Sequence, residues 1–428
     1  MGNAGGKILV LTLLFCAGQA VAQLPLPPLP DTQVRAPDLR SATGEVLTNT
    51  ADLTDRTLQQ LARARELRIG RLARVHRAEL DRDRNGELVV RAEVIAIDIA
   101  PQALQRALAQ RFQLRRTQEL EGLGLTITVL QTPDGWSAQR GLKQLRELDP
   151  QGSYDYNHVY LDGGALDGDG AAPVPSQRAD AARHVRVGLV DAGIDGAHQV
   201  FEGVKLERFG CGGQVVPSAH GTAVAAILAT HAAVAQIDAA DVYCGSPTGG
   251  AVDGVAAAFA WLAGRRVSVI NVSLVGPRNA LLERVVNSLV TRGFLIVAAV
   301  GNDGPAAPPL YPASYAGVVG VTAVDGDHRV LLEACRGGQV DFAARGADMR
   351  AASQAPDLYA PVRGTSFAAP IVAALLAADF SAPDAVAREQ VLAKWAQSAR
   401  DLGKRGRDDV YGAGELGDFG PAMAGAGR

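Results

Sequence analysis

Lysine is scarce in this 428-residue chain. Lys7, Lys143, Lys205, Lys394 and Lys404 are its only lysines, and the rest of the basic charge is arginine. Basic and acidic side chains nearly cancel, 42 against 45, for a formal net charge of −3. That balance gives no electrostatic case for nucleic acid as the main partner. There are 4 cysteines and neither a C-x-x-C nor any other metal-type spacing, which argues against a thiolate zinc site. Long apolar runs are also missing. The run 8–17 is shorter than the ~20 residues a spanning helix needs, and it is broken by Gly18 and Gln19. No later segment is long and apolar enough, so no span is expected in the mature chain. What is present excludes a wholly disordered chain, since 47% of residues are hydrophobic and only 20% charged. At roughly 150 residues per domain the length suggests two or three domains. The 48 glycines point to close backbone packing and tight turns, and no repeat of fixed period is evident.

Lys7, the short apolar run and Ala20-Val21-Ala22 before Gln23 describe a secretory signal peptide over 1–22. Phe15 before Cys16 is too large for a lipoprotein-type cleavage site. The mature protein is therefore expected to be secreted or periplasmic. Cys211, Cys244 and Cys335 remain after export, an odd number that allows one bridge and a spare thiol, or none. Residues 23–84 hold a Pro-rich leader and then a helix. Leu58, Leu61, Leu72 and Val75 recur at helical spacing over 53–75. Asp81-Arg82-Asp83-Arg84-Asn85-Gly86 resembles the start of a calcium loop, but its twelfth position is Ala92 and two arginines oppose a cation. We read it as a polar turn.

Residues 85–162 follow the order β-α-β-β-α-β, the split-βαβ pattern of a small α+β ferredoxin-like domain. Strands are expected at 88–97, 112–117, 123–130 and 154–161, and helices at 101–111 and 137–148. Residues 163–184, rich in Gly, Ala, Asp and Pro, read as an exposed linker. From 185 onward buried-strand runs alternate with helices. This argues for a mostly parallel sheet covered on both faces, an α/β domain over 185–428.

Four short segments of that domain carry chemistry. Asp191 follows a buried strand, His220 opens a helix, Asn302 follows another strand, and Ser366 opens an apolar helix. Taken singly, each has a plain structural role as turn residue or helix cap. Together they supply what acyl transfer needs. A serine is a weak nucleophile without an adjacent base. A histidine can take its proton, and a buried carboxylate can hold the imidazole tautomer. A helix N-terminus and a side-chain amide can stabilise an oxyanion.

These segments resemble the signatures of the subtilisin-like serine peptidases, the subtilases. The order Asp, His, Asn, Ser is that family's, and Gly364-Thr365-Ser366 with Ala368-Ala369-Pro370 is its nucleophile signature almost unaltered. The resemblance covers roughly 185–420 and implies a three-layer fold and peptide-bond hydrolysis. It makes Asp191 the orienting acid, His220 the general base, Ser366 the nucleophile and Asn302 the oxyanion donor. Ile270-Asn271-Val272-Ser273-Leu274 resembles the strand that flanks the substrate, and Tyr411-Gly412-Ala413-Gly414 the closing segment. Ser273, Leu274, Val275, Val300 and Gly301 are then the substrate-binding candidates. More weakly, and by pattern only, 85–162 resembles an inhibitory propeptide, with maturation expected between about 160 and 184.

The sequence departs from the family at several points. Ala192 follows the acid where a hydroxyl is usual, Ala223 replaces a frequent histidine, and Ala226 a frequent glycine. Val275 and Val300 stand where small residues are common, which implies a shallow pocket for small or apolar side chains. No cofactor is implied. Calcium is common among relatives, but the short stretch 230–237 offers no assignable ligands. If the strands ending near Cys211 and Cys244 are parallel neighbours, those two thiols can pair. Two other readings stay open: a catalytically inactive binding or chaperone-like protein on the same scaffold, and an α/β-hydrolase esterase. The latter wants G-x-S-x-G, which Ser366 lacks.

Overall fold

The computed structural model describes residues 55–166, 184–354 and 358–417. The expected signal peptide, the Pro-rich leader, most of the expected linker and the last residues lie outside these ranges.

Helix α1 (Asp55–Val75) leads into the short strand β1 (Leu80–Arg82), which forms a hairpin with β2 (Leu88–Ile97). The polar turn between them is closed by Asp83, whose Oδ1 accepts the N–H groups of Asn85 and Glu87. The domain boundary expected at 84/85 thus falls inside a hairpin. Helix α2 (Pro101–Ala109), strands β3 (Gln113–Leu120) and β4 (Leu125–Gln131), helix α3 (Ala138–Leu148) and strand β5 (Ser153–Asp162) follow. The strands lie in the order β5-β2-β4-β3 with every neighbouring pair antiparallel, the arrangement of a split βαβ unit. Successive side chains on a strand face opposite sides. Val94, Ala96 and Leu130 accordingly pack with Ala107, Leu142 and Leu145 from α2 and α3. Ile95, Ile97, Ile127 and Val129 pack on the other side, against helices of the second part of the chain.

That second part is built on a seven-stranded parallel sheet. Its strands are β7 (Val185–Asp191), β8 (Lys205–Phe209), β9 (Val234–Asp241), β11 (Val269–Val272), β13 (Leu295–Ala299), β14 (Val319–Val324) and β15 (Phe342–Arg345), in the order β15-β14-β13-β11-β7-β9-β8. Alternation again sorts the side chains. Leu295, Val297 and Ala299 join one core with α4 (Ala219–Thr230) and α7 (Thr365–Ala378). Ile296, Ala298 and Val300 join the other with α5 (Val252–Gly264) and α6 (Ala280–Thr291). The result is the three-layer α/β architecture expected for the subtilisin-like fold. Both α4 and α7 are apolar nearly all round, as buried helices are.

Small strands complete the fold: β10 (Gly250–Ala251), β12 (Leu274–Val275), β16 (Met349–Ala352), β17 (Tyr359–Gly364) and, ahead of β7, β6 (Gly164–Leu166). A last helix, α8 (Ala385–Ser398), is capped by Asp384, which accepts from Val386 and Ala387. The linker expected from residue 163 starts later: Gly163 is buried, and β6 pairs with β17. Glycine and alanine pair through the backbone, which composition does not reveal.

Candidate active site

Asp191 ends β7 with no exposed surface, where parallel strands present their carboxyl ends. Its Oδ1 accepts the N–H of Ala192 at 2.6 Å and lies 2.8 Å from Nδ1 of His220. A carboxylate can only accept, so Nδ1 carries the proton and Nε2 faces away. His220 sits in the first turn of α4, followed by Gly221. A Cβ at Gly221 would meet the carbonyl oxygens of Ala192 and Gly193 at 2.3 and 2.5 Å, so glycine is required for the helix to approach the strand end. Burial pushes the His220 imidazole down. The Asp191 carboxylate, its hydrogen bond and then Asp162 outweigh this and push it up to about 9. Asp191 Oδ2 has no hydrogen-bond partner in the protein.

Ser366 lies in the first turn of α7. Gly364 precedes the helix at a φ of 136°, a conformation that favours glycine. Pro370, inside the helix, has no N–H for the carbonyl of Ser366. The hydroxyl of Ser273 donates to that carbonyl at 3.0 Å, and Asn271 Nδ2 donates to the same hydroxyl at 2.9 Å. Asn302 follows β13, and its Oδ1 accepts the N–H of Thr365 at 3.1 Å. Thr365 Oγ1 in turn accepts the N–H of Gly301 at 3.1 Å. These bonds fix the amide, so that Nδ2 projects to 2.9 Å from where a Cβ on Gly364 would stand. A side-chain amide and the start of a helix therefore come together beside the Ser366 hydroxyl.

The chain's own residues 159–166 run through the cleft in front of that hydroxyl. Val159 and Tyr160 pair with Ala251 and Gly250 of β10, and Leu161 and Asp162 pair with Val275 and Leu274 of β12. Beyond the break at Gly163, β6 pairs with β17, Gly164 opposite Gly364. The N–H of Gly163 donates to Ser366 Oγ at 3.1 Å, and Ser366 Oγ donates to the carbonyl of Ser273 at 3.1 Å. His220 Nε2 has no hydrogen-bond partner in this arrangement.

The structure thus brings Asp191, His220, Asn302 and Ser366 into one cleft, with Ser273, Leu274 and Val275 along its wall. Gly301 lies beneath, at a φ of 100°. Val300 is a core side chain, 3.3 Å from where a Cβ on Gly320 would be. Sequence reasoning missed Leu310 and Phe367, which stand against Gly301 and Gly164 in the cleft, and Tyr160 and Gly163 of the segment that fills it. Their contacts arise only in three dimensions. Cys211 and Cys244 are joined by a disulfide at the ends of the parallel neighbours β8 and β9, and Cys335 is a buried free thiol. Among the described residues the one group with metal-type convergence is Cys211, Asp241 and Cys244, whose sulfurs are bonded to each other.

A sequence model of the subtilase family matches residues 182–414. The minor extracellular protease Epr of Bacillus subtilis is 33% identical over 155 residues, which are 36% of this chain and 24% of that protein. Subtilisin BL of Lederbergia lenta is 29% identical over 260 residues, 57% of this chain and 92% of that one. Fervidolysin from Fervidobacterium pennivorans, a keratinolytic enzyme related to subtilisin, has a similar solved fold. Its TM-score is 0.64 at 18% identity, covering 80% of this chain and 63% of that one. The chain thus spans about a quarter of Epr and under two thirds of fervidolysin. Among the described residues no helix is long and apolar enough to cross a membrane.

Proposed function

The chain belongs to the subtilase family, and from that premise we propose that it is an exported serine endopeptidase that matures by cutting its own N-terminal part away. One observation carries the reading. An extended segment of the chain is paired on both sides of a break at Gly163, and at that break it touches Ser366 Oγ.

In the proposed reaction His220 Nε2 takes the Ser366 proton as Oγ bonds to a peptide carbonyl carbon. Asp191 holds Nδ1–H and stabilises the imidazolium. The Asn302 amide and the N–H of Ser366 receive the oxyanion. His220 then returns the proton to the leaving amine. Water repeats the sequence on the acyl-enzyme and releases the acid.

Substrate would lie where residues 159–166 lie, adding a strand to β10 and β12 through its backbone. Residues 85–162 would act as a folding aid and a cleft-filling inhibitor until removed. The segment 1–22 would direct export to the periplasm or medium. The test is processing of purified protein beside Ser366→Ala. The wild type should separate into two fragments and the variant stay whole. Equal processing of a pure Ser366→Ala preparation would show that Ser366 is not responsible.

A further inference from the structure

The geometry points to a glycine-specific acyl position: the enzyme cuts after glycine, and its own junction is Gly163–Gly164. This inference rests on the peptidase reading and adds to it a substrate class and the residues that set it.

The junction follows from the paired strands. Asp162 is paired to β12 and Gly164 to β17, so Gly163 alone spans the break. Its N–H is on Ser366 Oγ. Its carbonyl oxygen lies 2.8 Å, and Asn302 Nδ2 2.9 Å, from the one point where a Cβ on Gly364 would stand. The carbonyl on the oxyanion side is therefore that of Gly163. In the reaction Ser366 Oγ bonds to that carbonyl carbon as its proton passes to His220. The bond from the Gly163 carbon to the Gly164 nitrogen breaks, and its electron pair and the His220 proton go to the Gly164 amine. Water then adds to the acyl carbon, Ser366 regains a proton, and Gly163 leaves as a carboxylate.

The specificity follows from what surrounds the glycines. A Cβ on Gly163 would lie 3.0 Å from Ser366 Oγ and 3.7 Å from both Asn302 Nδ2 and Val275 Cγ1. Behind Val275 the space is filled. Above Gly301, Leu310 Cδ1, Cys335 Sγ and Val275 Cγ1 stand 2.5, 3.4 and 3.5 Å from a single Cβ position. Val275, Leu310 and Cys335 are all buried. On the leaving side a Cβ on Gly164 would come within 2.6 Å of the Phe367 ring. Tyr160 has the opposite character. Its side chain is fully buried, its hydroxyl donates to the Pro277 carbonyl at 2.6 Å, and a Cβ on Gly276 would strike its ring at 2.6 Å. A bulky aromatic is seated there, and nothing larger than hydrogen is seated at Gly163.

Incubation of the purified full chain, read by intact mass, should give a large fragment that begins at Gly164. A fragment beginning at Gly163, or elsewhere, overturns the assignment. A peptide of residues 157–168 offered to the matured enzyme should be cut at the same bond. Leucine in place of Gly163 should lower kcat/KM roughly 10- to 100-fold, the effect of overfilling a packed site. Val275→Gly with Leu310→Ala should recover cleavage of the leucine peptide. Equal cleavage of the glycine and leucine peptides overturns glycine specificity and leaves the peptidase reading standing. Absence of both self-cleavage and peptide cleavage overturns the peptidase reading and this inference with it.

Discussion

At the residue scale the account rests on four side chains whose types were legible because the chemistry restricts them. A base, its orienting acid, a nucleophile and an amide donor have few substitutes, and glycine or alanine packs around each. The walls of the cleft were not legible. Nothing near Leu310 in the sequence says that its side chain stands over Gly301, since any apolar residue reads the same. Asn302→Leu keeps similar volume and removes the amide. It should lower kcat by about 10²–10³, roughly 3–4 kcal/mol, with little change in KM. Steady-state kinetics on a peptide would show a KM effect instead if Asn302 only shaped the pocket. The His220 imidazole, pushed up to about 9 in the uncleaved chain, holds a proton on Nε2 below that pH and cannot act as base. Self-processing should therefore accelerate as pH rises toward about 9. Asp162 is one of the charges that raise it. Asp162→Asn should move the rise to lower pH, and an unchanged pH–rate profile would separate processing from His220.

At the scale of elements, the buried runs of the parallel sheet announced themselves, because strands covered on both faces are continuously apolar. The split βαβ unit was readable from the order of its strand-like and helix-like segments and from Pro101 at a helix start. Helix α8 and the strands β16 and β17 were not, since they are short or half exposed and carry no clean period. Strand β6 was hidden in a Gly- and Ala-rich stretch. The bridge between Cys211 and Cys244 ties the ends of β8 and β9 together across a sequence separation of 33. Replacing both cysteines by alanine should cost roughly 3–4 kcal/mol by the loop-closure estimate, measured by denaturant unfolding of the Ser366→Ala protein. A change under about 1 kcal/mol would mean that the bridge does not restrain the unfolded chain. Burial pushes the Cys335 thiol up to about 12, so it should not compete for the bridge at neutral pH.

At the scale of the whole molecule, the N-terminal part is held at the cleft by more than strand pairing. Arg65 donates to Asp303 and Glu87, and Arg68 donates to Asp303, the residue next to Asn302. Burial pushes the Arg65 guanidinium down, but Glu87 and Asp303 together hold it above its ordinary range. Leu61 packs within 3.0 Å of where a Cβ on Gly304 would be. None of this was visible in sequence, where Arg65 and Arg68 are ordinary residues of an arginine-rich helix. Arg65→Ala with Arg68→Ala leaves Asp303 without those partners. The released N-terminal fragment carrying both changes should inhibit the mature enzyme about 10- to 100-fold more weakly. An unaltered inhibition constant would place the hold in the strand pairing alone.

The central claim is that Ser366 is the nucleophile of an enzyme that its own chain first occupies. Intact mass after exposure of the self-processed protein to a fluorophosphonate, beside Ser366→Ala, measures this most directly. One adduct per mature chain, mapped to Ser366 and absent from the variant, is the result expected. A processed chain that takes no adduct, or takes it equally with Ser366 removed, would contradict the claim.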